Sequence, residues 1–136
     1  MLELRMIEKT TKIHVNMEVD PRHVPVGWVA LYFDDLYDES GTELIGKAYG
    51  VNHAIGERKS DGHMIQYVTE QFHLEDGSLC AEGPMDREAV IAQEWVQIPV
   101  KGTAGIYLGM SGLWSWRLID LTDPLIPLVS NIKLGP

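Results

Sequence analysis

The chain has 136 residues, 45% of them apolar, a formal net charge of −9 and a single cysteine. That length holds one domain with a real core and not two. The acidic balance opposes nucleic-acid binding, because phosphates would be repelled, and Cys80 alone excludes a disulfide framework or a cysteine-based zinc site.

Along the chain, apolar and polar residues alternate over short runs broken by Gly, Asp, Asn and Pro, and no helical repeat is sustained. The pattern predicts strands at 11–19 (TKIHVNMEV), 26–34 (VGWVALYFD), 43–55 (ELIGKAYGVNHAI), 63–74 (HMIQYVTEQFHL), 78–83, 89–98 (AVIAQEWVQI), 103–110 and 112–121. Turn residues separate them: DESG at 38–41, SDG at 60–62, EDG at 75–77, and Gly105 and Gly112 in the late hairpins. Residues 121–136 carry three prolines and no alternation, so they read as a tail laid over the outside or across one mouth. The expected fold is a single all-β domain over residues 1–136, an eight-stranded antiparallel β-barrel. Such a barrel is just wide enough inside for side chains or one small ligand, and closure removes exposed edges. No apolar run approaches the roughly 18 residues of a spanning helix. The charged start, MLELRMIEKTTK, is no secretory signal. A cytoplasmic protein with no membrane partner is expected.

Side chains two apart on a strand share a face. Trp114, Trp116 and Leu118 therefore lie together, as do Met64, Gln66, Val68, Glu70 and Phe72. In 89–98, Val90, Ala92, Glu94, Val96 and Ile98 share a face. Glu70 and Glu94 are out of place on faces otherwise apolar, since a buried carboxylate must be paired or neutral. A cavity with a few polar groups on apolar walls would explain them, as would a mouth position or a bulge.

Several chemistries find no support. Residues 109–113 read GMSGL, which lacks the last glycine of a nucleophile elbow. His53, His63 and His73 are ten residues apart, and ten residues on a strand span roughly 30 Å, too far for one ion. The acids of DDLYDE at 34–39 lack the calcium-loop pattern and read as a solvated turn. The glycines of GTAGIYLGMSG fall in β-hairpins rather than between a strand and a helix, so no phosphate cradle is expected. No metal and no cofactor are predicted.

Four stretches occur in a recognisable order: FDDLYDESGTELIG at 33–46, EQFHLEDGSLCAEGPMD at 70–86, EWVQIPVKGTAGIYLGMSG at 94–112 and WRL at 116–118. Over Tyr32 to Arg117 the chain resembles the spirotetronate cyclases, small β-barrel Diels–Alderases of the abyssomicin-cyclase type. The wider allene-oxide-cyclase-like barrels share a similar Gly-rich hairpin. The resemblance implies a homodimeric, cofactor-free cyclase acting on a linear polyketide tetronate, by [4+2] or hetero-Diels–Alder closure or a related rearrangement in the lumen. By position, Trp116 matches a lumen tryptophan that packs on the polyketide. Leu118 matches a lumen methionine, and Tyr32 or Phe33 a lumen phenylalanine. Trp114 stands in place of an arginine at the mouth, Val68 (beside Tyr67) of a tyrosine, Arg87 of a phenylalanine and Ile98 of a tyrosine.

The expected site therefore has Trp114 and Trp116 as catalytic wall. Tyr32, Phe33, Met64, Gln66, Tyr67, Val68, Glu70, Phe72, Arg87, Ile98, Met110 and Leu118 are expected to bind the substrate. Gln66, Tyr67 or an indole N–H would donate to the tetronate. Glu70 would pair with Arg87 or Arg117, or be structural. The alternatives are a lipocalin-like barrel that carries a hydrophobic metabolite, and a dirigent-like protein that orients a reaction started elsewhere.

Overall fold

The computed structural model describes residues 1–136. Eight strands follow one another: β1 (Leu2–Val15), β2 (Val29–Tyr37), β3 (Leu44–Glu57), β4 (Met64–Leu74), β5 (Gly77–Asp86), β6 (Val96–Gly105), β7 (Ser111–Leu118) and β8 (Leu128–Gly135). One short helix, α1 (Arg87–Ile91), lies between β5 and β6. Every strand pairs antiparallel with its sequence neighbour, and β8 pairs with β1 through Ile7↔Val129 to close the barrel.

Burial alternates along the strands as the sequence does. On β2, Ala30, Tyr32, Asp34 and Leu36 are buried while Leu31 and Phe33 are exposed. On β4 the inward row is Gln66, Val68, Glu70 and Phe72, and on β7 it is Trp114, Trp116 and Leu118. Hairpin chemistry sets the register. Glu75 and Asp76 form the two-residue link between the paired Leu74 and Gly77. Asp38 accepts from Thr42 N at 3.0 Å and Ser40 Oγ at 2.8 Å, which fixes the β2–β3 turn.

The interior divides into two halves. At one end Phe72, Leu79, Ile98, Ile132 and Leu134 form a solid core. Tyr107, folded under that end by the β6–β7 hairpin, donates to Asp76 Oδ1 at 2.8 Å. Gly102 lets the hairpin close, because a Cβ there would meet Tyr107 O at 1.6 Å. The other half is hollow.

Four segments differ from the sequence expectation. The first strand, expected at 11–19, runs from Leu2 to Val15. Residues 89–98 do not form one strand. Asp86 accepts from Glu88 N and Ala89 N and so caps α1, the chain turns through Gln93 at φ 60°, and β6 starts only at Val96. Glu94 is therefore exposed in a loop. The expected strand 103–110 ends at Gly105, where the hairpin turn begins. Residues 121–136 are not all tail, because 128–135 form β8, with Leu128, Ser130, Ile132 and Leu134 inward. Pro124, Pro127 and Pro136 bracket that strand and hide its alternation.

Candidate active site in the hollow half of the barrel

A cavity of about 510 Å³ fills the open half, within the range of small-molecule sites. Trp28, Trp114, Trp116, Leu118, Val68 and Val90 supply its apolar wall. Pro21, Arg22 and Leu121, all exposed, stand at its rim. Ile126 also borders it, from a loop where its φ is 47°. That is a rare conformation for a β-branched side chain.

The two central indoles stack at 5.7 Å between ring centroids and 24° between planes, and Trp114 meets Phe72 edge-on at 5.1 Å. They differ in their polar atoms. Trp114 Nε1 donates to Ser130 Oγ at 2.9 Å, and Ser130 Oγ donates to Glu8 Oε2. Trp116 Nε1 is buried without a partner.

At the upper end, Arg87 opens α1 and lies over the Trp28 ring at 4.8 Å. It donates to Gln66 Oε1 at 3.0 Å and to Pro21 O at 2.6 Å, and its Nε has no partner. No carboxylate pairs with it, and burial lowers its pKa to about 10. Gln66 Nε2 is also unpartnered. This end is a set of donors without an anion.

At the floor, where the cavity meets the solid core, three carboxyl groups gather. Oxygens of Glu8, Asp34 and Glu70 lie within 4.8 Å of one another, and all three residues are buried. Tyr32 and Glu70 both pair with Gly50, one from each side. Tyr32 Oη donates to Glu70 Oε1 at 2.5 Å across the space the glycine leaves open. Burial, then the neighbouring acids, push Glu8 well above the carboxylate range and Asp34 up to about 9. Burial is also the main cause that raises Glu70, to about 8.

Eight of the fourteen expected residues line the cavity: Tyr32, Gln66, Val68, Glu70, Arg87, Trp114, Trp116 and Leu118. Between Tyr32 and Phe33 the pleat decides, since Phe33 points outward against Tyr49. Tyr67 is on the outer face as well. Phe72 and Ile98 belong to the solid half, and Met110 packs on that core from the hairpin. Met64 packs on the small cluster around Val24 and Trp28. Glu70 pairs with neither arginine; Arg117 lies over the outer ring of Trp95 at 5.5 Å. Asp34, expected in a solvated turn, is the inward residue of β2. Glu8 and Ser130 were outside every expected strand, and only the alternation of β1 and β8 could have revealed them.

The wall holds no cysteine, histidine or serine nucleophile. Elsewhere, Asp61, His63 and Asp86 converge on the surface, but the Arg58 guanidinium bonds both aspartates and occupies the place of a cation. No helix is long and apolar enough to cross a membrane.

A closed barrel, solid at one end and hollow at the other, has a chamber of the size that small-molecule sites have. The chain belongs to the allene oxide cyclase barrel-like family, whose profile matches residues 9–134. It is similar to the structure of AbnU, an exo-specific intermolecular Diels–Alderase, at 29% identity and TM-score 0.83, over 98% of this chain and 96% of that one. It is similar to the Diels–Alderase AbmU from Streptomyces koyangensis at 25% identity and TM-score 0.80, over 97% and 67% of the two chains. A nonspecific heme-binding cyclase that catalyses [4+2] cycloaddition in neoabyssomicin biosynthesis shares the fold at 24% identity and TM-score 0.82, over 98% and 64%. No curated protein matches the sequence significantly.

Proposed function

We propose that the protein is a cofactor-independent cyclase that folds a linear polyketide with an acidic, tetronate-like ring into its cavity and closes a ring by intramolecular [4+2] reaction. The observation that carries this reading is the pairing of an indole-walled cavity with a half-buried Arg87 that has no carboxylate partner. An apolar chain with an anionic head would satisfy both ends of that arrangement. The likeness to Diels–Alderase structures supports [4+2] chemistry; AbnU is an intermolecular enzyme, so the intramolecular course rests on the resemblance to the spirotetronate cyclases.

The chemistry needs no nucleophile. Diene and dienophile on one flexible chain must meet in a single geometry, and holding them there removes an entropic barrier. A thousandfold acceleration requires only about 4 kcal/mol. Trp116 and Trp114 give the guest a rigid wall at little side-chain entropy cost. Arg87 and Gln66 hold the acidic ring, and their donors draw charge toward it. The wall offers no His, Cys or Met to ligate a haem iron, and its one tyrosine donates to Glu70. This supports a reaction without that cofactor. The same reading takes the protein as a cytoplasmic homodimer, which light scattering on the purified protein checks for oligomeric state.

The test is turnover without cofactor. A linear tetronate polyketide bearing diene and dienophile is incubated with the protein, and the product is expected as an isomer of equal mass. Retention of the unchanged compound would favour a carrier of the lipocalin type instead. Product formed only when a second protein is added would favour a dirigent-like role.

A further inference from the structure

The carboxyl group of Glu70 sets a problem that packing does not solve. Glu8, Asp34 and Glu70 are each no more than 2% exposed. None takes part in an ion pair with Lys, Arg or His. Three ionised carboxylates cannot share so small a dry volume without a cation. The hydrogen bonds show how the cluster is built. Hydroxyl donors reach only Glu70 Oε1, from Tyr32, and Glu8 Oε2, from Ser130. Glu8 Oε1, Glu70 Oε2 and both Asp34 oxygens have no close hydrogen-bond partner; the Thr10 hydroxyl, on the strand paired with β2, stands beside Asp34 and opposes the rise of its pKa. The carboxyl protons themselves, shared between the three acids, can supply the hydrogens those oxygens need.

Position then separates the three. Asp34 and Glu70 border the cavity, whereas Glu8 lies behind them, held through Ser130 to Trp114. A second, independent observation lies in the same wall. Trp116 is 5% exposed, its Nε1 has no acceptor, and its ring stacks on Trp114. Buried N–H groups without an acceptor are rare and costly. A guest's oxygen would supply the acceptor that Trp116 Nε1 lacks.

We propose that Glu8, Asp34 and Glu70 form a proton-sharing acid at the cavity floor that donates a hydrogen bond to a carbonyl or ether oxygen of the guest. The proposal deepens the reading above and rests on it only in requiring that a guest enters the cavity. A carboxylic acid kept neutral by an apolar site is a strong donor at neutral pH. Aimed at the carbonyl of a dienophile, it withdraws charge as the new bonds form. The groups that face the cluster include Thr10 from β1, Tyr32 from β2, Ser130 from β8, the indoles of β7, and Gly50 from β3 with no side chain. Asp35, next along β2, adds repulsion. The donor end at Gln66 is four residues up β4 from Glu70, about 13 Å away. Arg87 therefore neutralises nothing at the floor, and a guest spanning both ends carries an acidic head and a distal acceptor.

The probe is an uncharged aromatic ketone, 6-propionyl-2-dimethylaminonaphthalene, carbon-13 labelled at its carbonyl. Its C=O stretch is read by infrared difference spectroscopy on the whole protein. At pH 6 the bound carbonyl is expected at lower wavenumber than in alkane. That shift should fade as pH rises through 8 to 9, where Glu70 and Asp34 give up their protons. In Asp34→Asn/Glu70→Gln, which keeps shape and an N–H donor, the shift should persist without pH dependence. If that variant does not fold, carbon-13 NMR titration of the wild-type carboxyl groups decides, and three acids ionised below pH 6 overturn the proposal. An unshifted carbonyl, a shift independent of pH in the wild type, or a cavity that takes up no ketone also overturns it. So does tight Mn²⁺ binding that Glu70→Gln abolishes, because the cluster would then be a metal site. No cycloaddition is involved, so a protein that cyclises a tetronate yet leaves the ketone unshifted separates the two proposals.

Discussion

Tyr32 and Glu70 sit on strands that are not neighbours, yet their side chains meet, because Gly50 on the strand between them has none. A Cβ at Gly50 would lie 2.4 Å from Tyr32 Oη and 2.6 Å from Thr69 O. The side chain can swing away but the backbone carbonyl cannot. Gly50→Ala is expected to cost about 1–3 kcal/mol in urea unfolding. It should also break the Tyr32–Glu70 hydrogen bond. Tyr32→Phe removes the same bond without the clash and leaves Glu70 Oε1 unpartnered. Because that bond favours the ionised form, its loss should push the Glu70 pKa still higher in carboxyl NMR. Equal stability of Gly50→Ala and wild type would refute the close approach.

The acid cluster also predicts how stability follows pH. Folding raises Glu70 from 4.5 to about 8 and Asp34 from 3.8 to about 9. Between those limits the folded protein holds protons that the unfolded chain releases, so stability falls as pH rises. The contribution is complete below the ordinary carboxylate range and lost above about pH 9. Each pK unit corresponds to about 1.4 kcal/mol, so the fall amounts to several kcal/mol. Urea unfolding from pH 4 to 9 should show it. Asp34→Asn/Glu70→Gln should flatten the profile and exceed wild type in stability at pH 8. A wild-type curve that rises across the window would refute the shifts.

Much of this architecture is legible in the residues. The alternation on β2, β4 and β7 assigns Tyr32, Gln66, Val68, Glu70, Trp114 and Trp116 to the inside, and Glu70 is visible as an anomaly. The partners that explain the anomaly are harder to see. Asp34 is adjacent to Asp35 and close to Asp38 and Glu39, so a buried acid looks like part of a solvated run. Glu8 belongs to a strand where charges alternate with apolar residues from the second position, and Ser130 to one framed by prolines. Phe72 and Ile98 face inward, but periodicity cannot say whether the inside is hollow at that level. That depends on Tyr107 and the hairpin filling one end. Arg87 shows why 89–98 misleads: Asp86 caps a helix there, and helix and strand patterns coincide over five residues.

The stacked indoles should separate packing from binding. Trp114 is 1% exposed, touches Phe72 and anchors Ser130. Trp114→Ala should cost about 3–5 kcal/mol and disturb the Ser130–Glu8 bond. Trp116 lines the same cavity but makes no hydrogen bond and no edge-on contact with Phe72, so Trp116→Ala removes fewer interactions and should cost less. Its larger effect should be on the guest, with weaker binding of the aromatic ketone and a lower turnover number. Denaturation midpoints and fluorescence titration on the same samples check both. If Trp116→Ala unfolds the protein while Trp114→Ala does not, the roles are reversed.

Arg87 gives the prediction closest to the identity of the guest. Its guanidinium is held by a carbonyl, a carboxamide oxygen and the face of Trp28, none of which is an anion. A cation so placed is costly to bury, and its lowered pKa reflects that cost. Replacing it with a neutral side chain of similar length removes the penalty, so Arg87→Met should unfold at a urea concentration no lower than wild type. Binding should change selectively. A charged pair in a desolvated site is worth about 2–5 kcal/mol, so affinity for an anionic probe such as 8-anilinonaphthalene-1-sulfonate should fall by at least about tenfold. The uncharged ketone should lose far less. Arg87→Lys keeps the charge but not the fork toward Gln66 and Pro21, and should recover part of the anion affinity. Equal losses for both probes would mean that Arg87 shapes the mouth rather than receiving an anion.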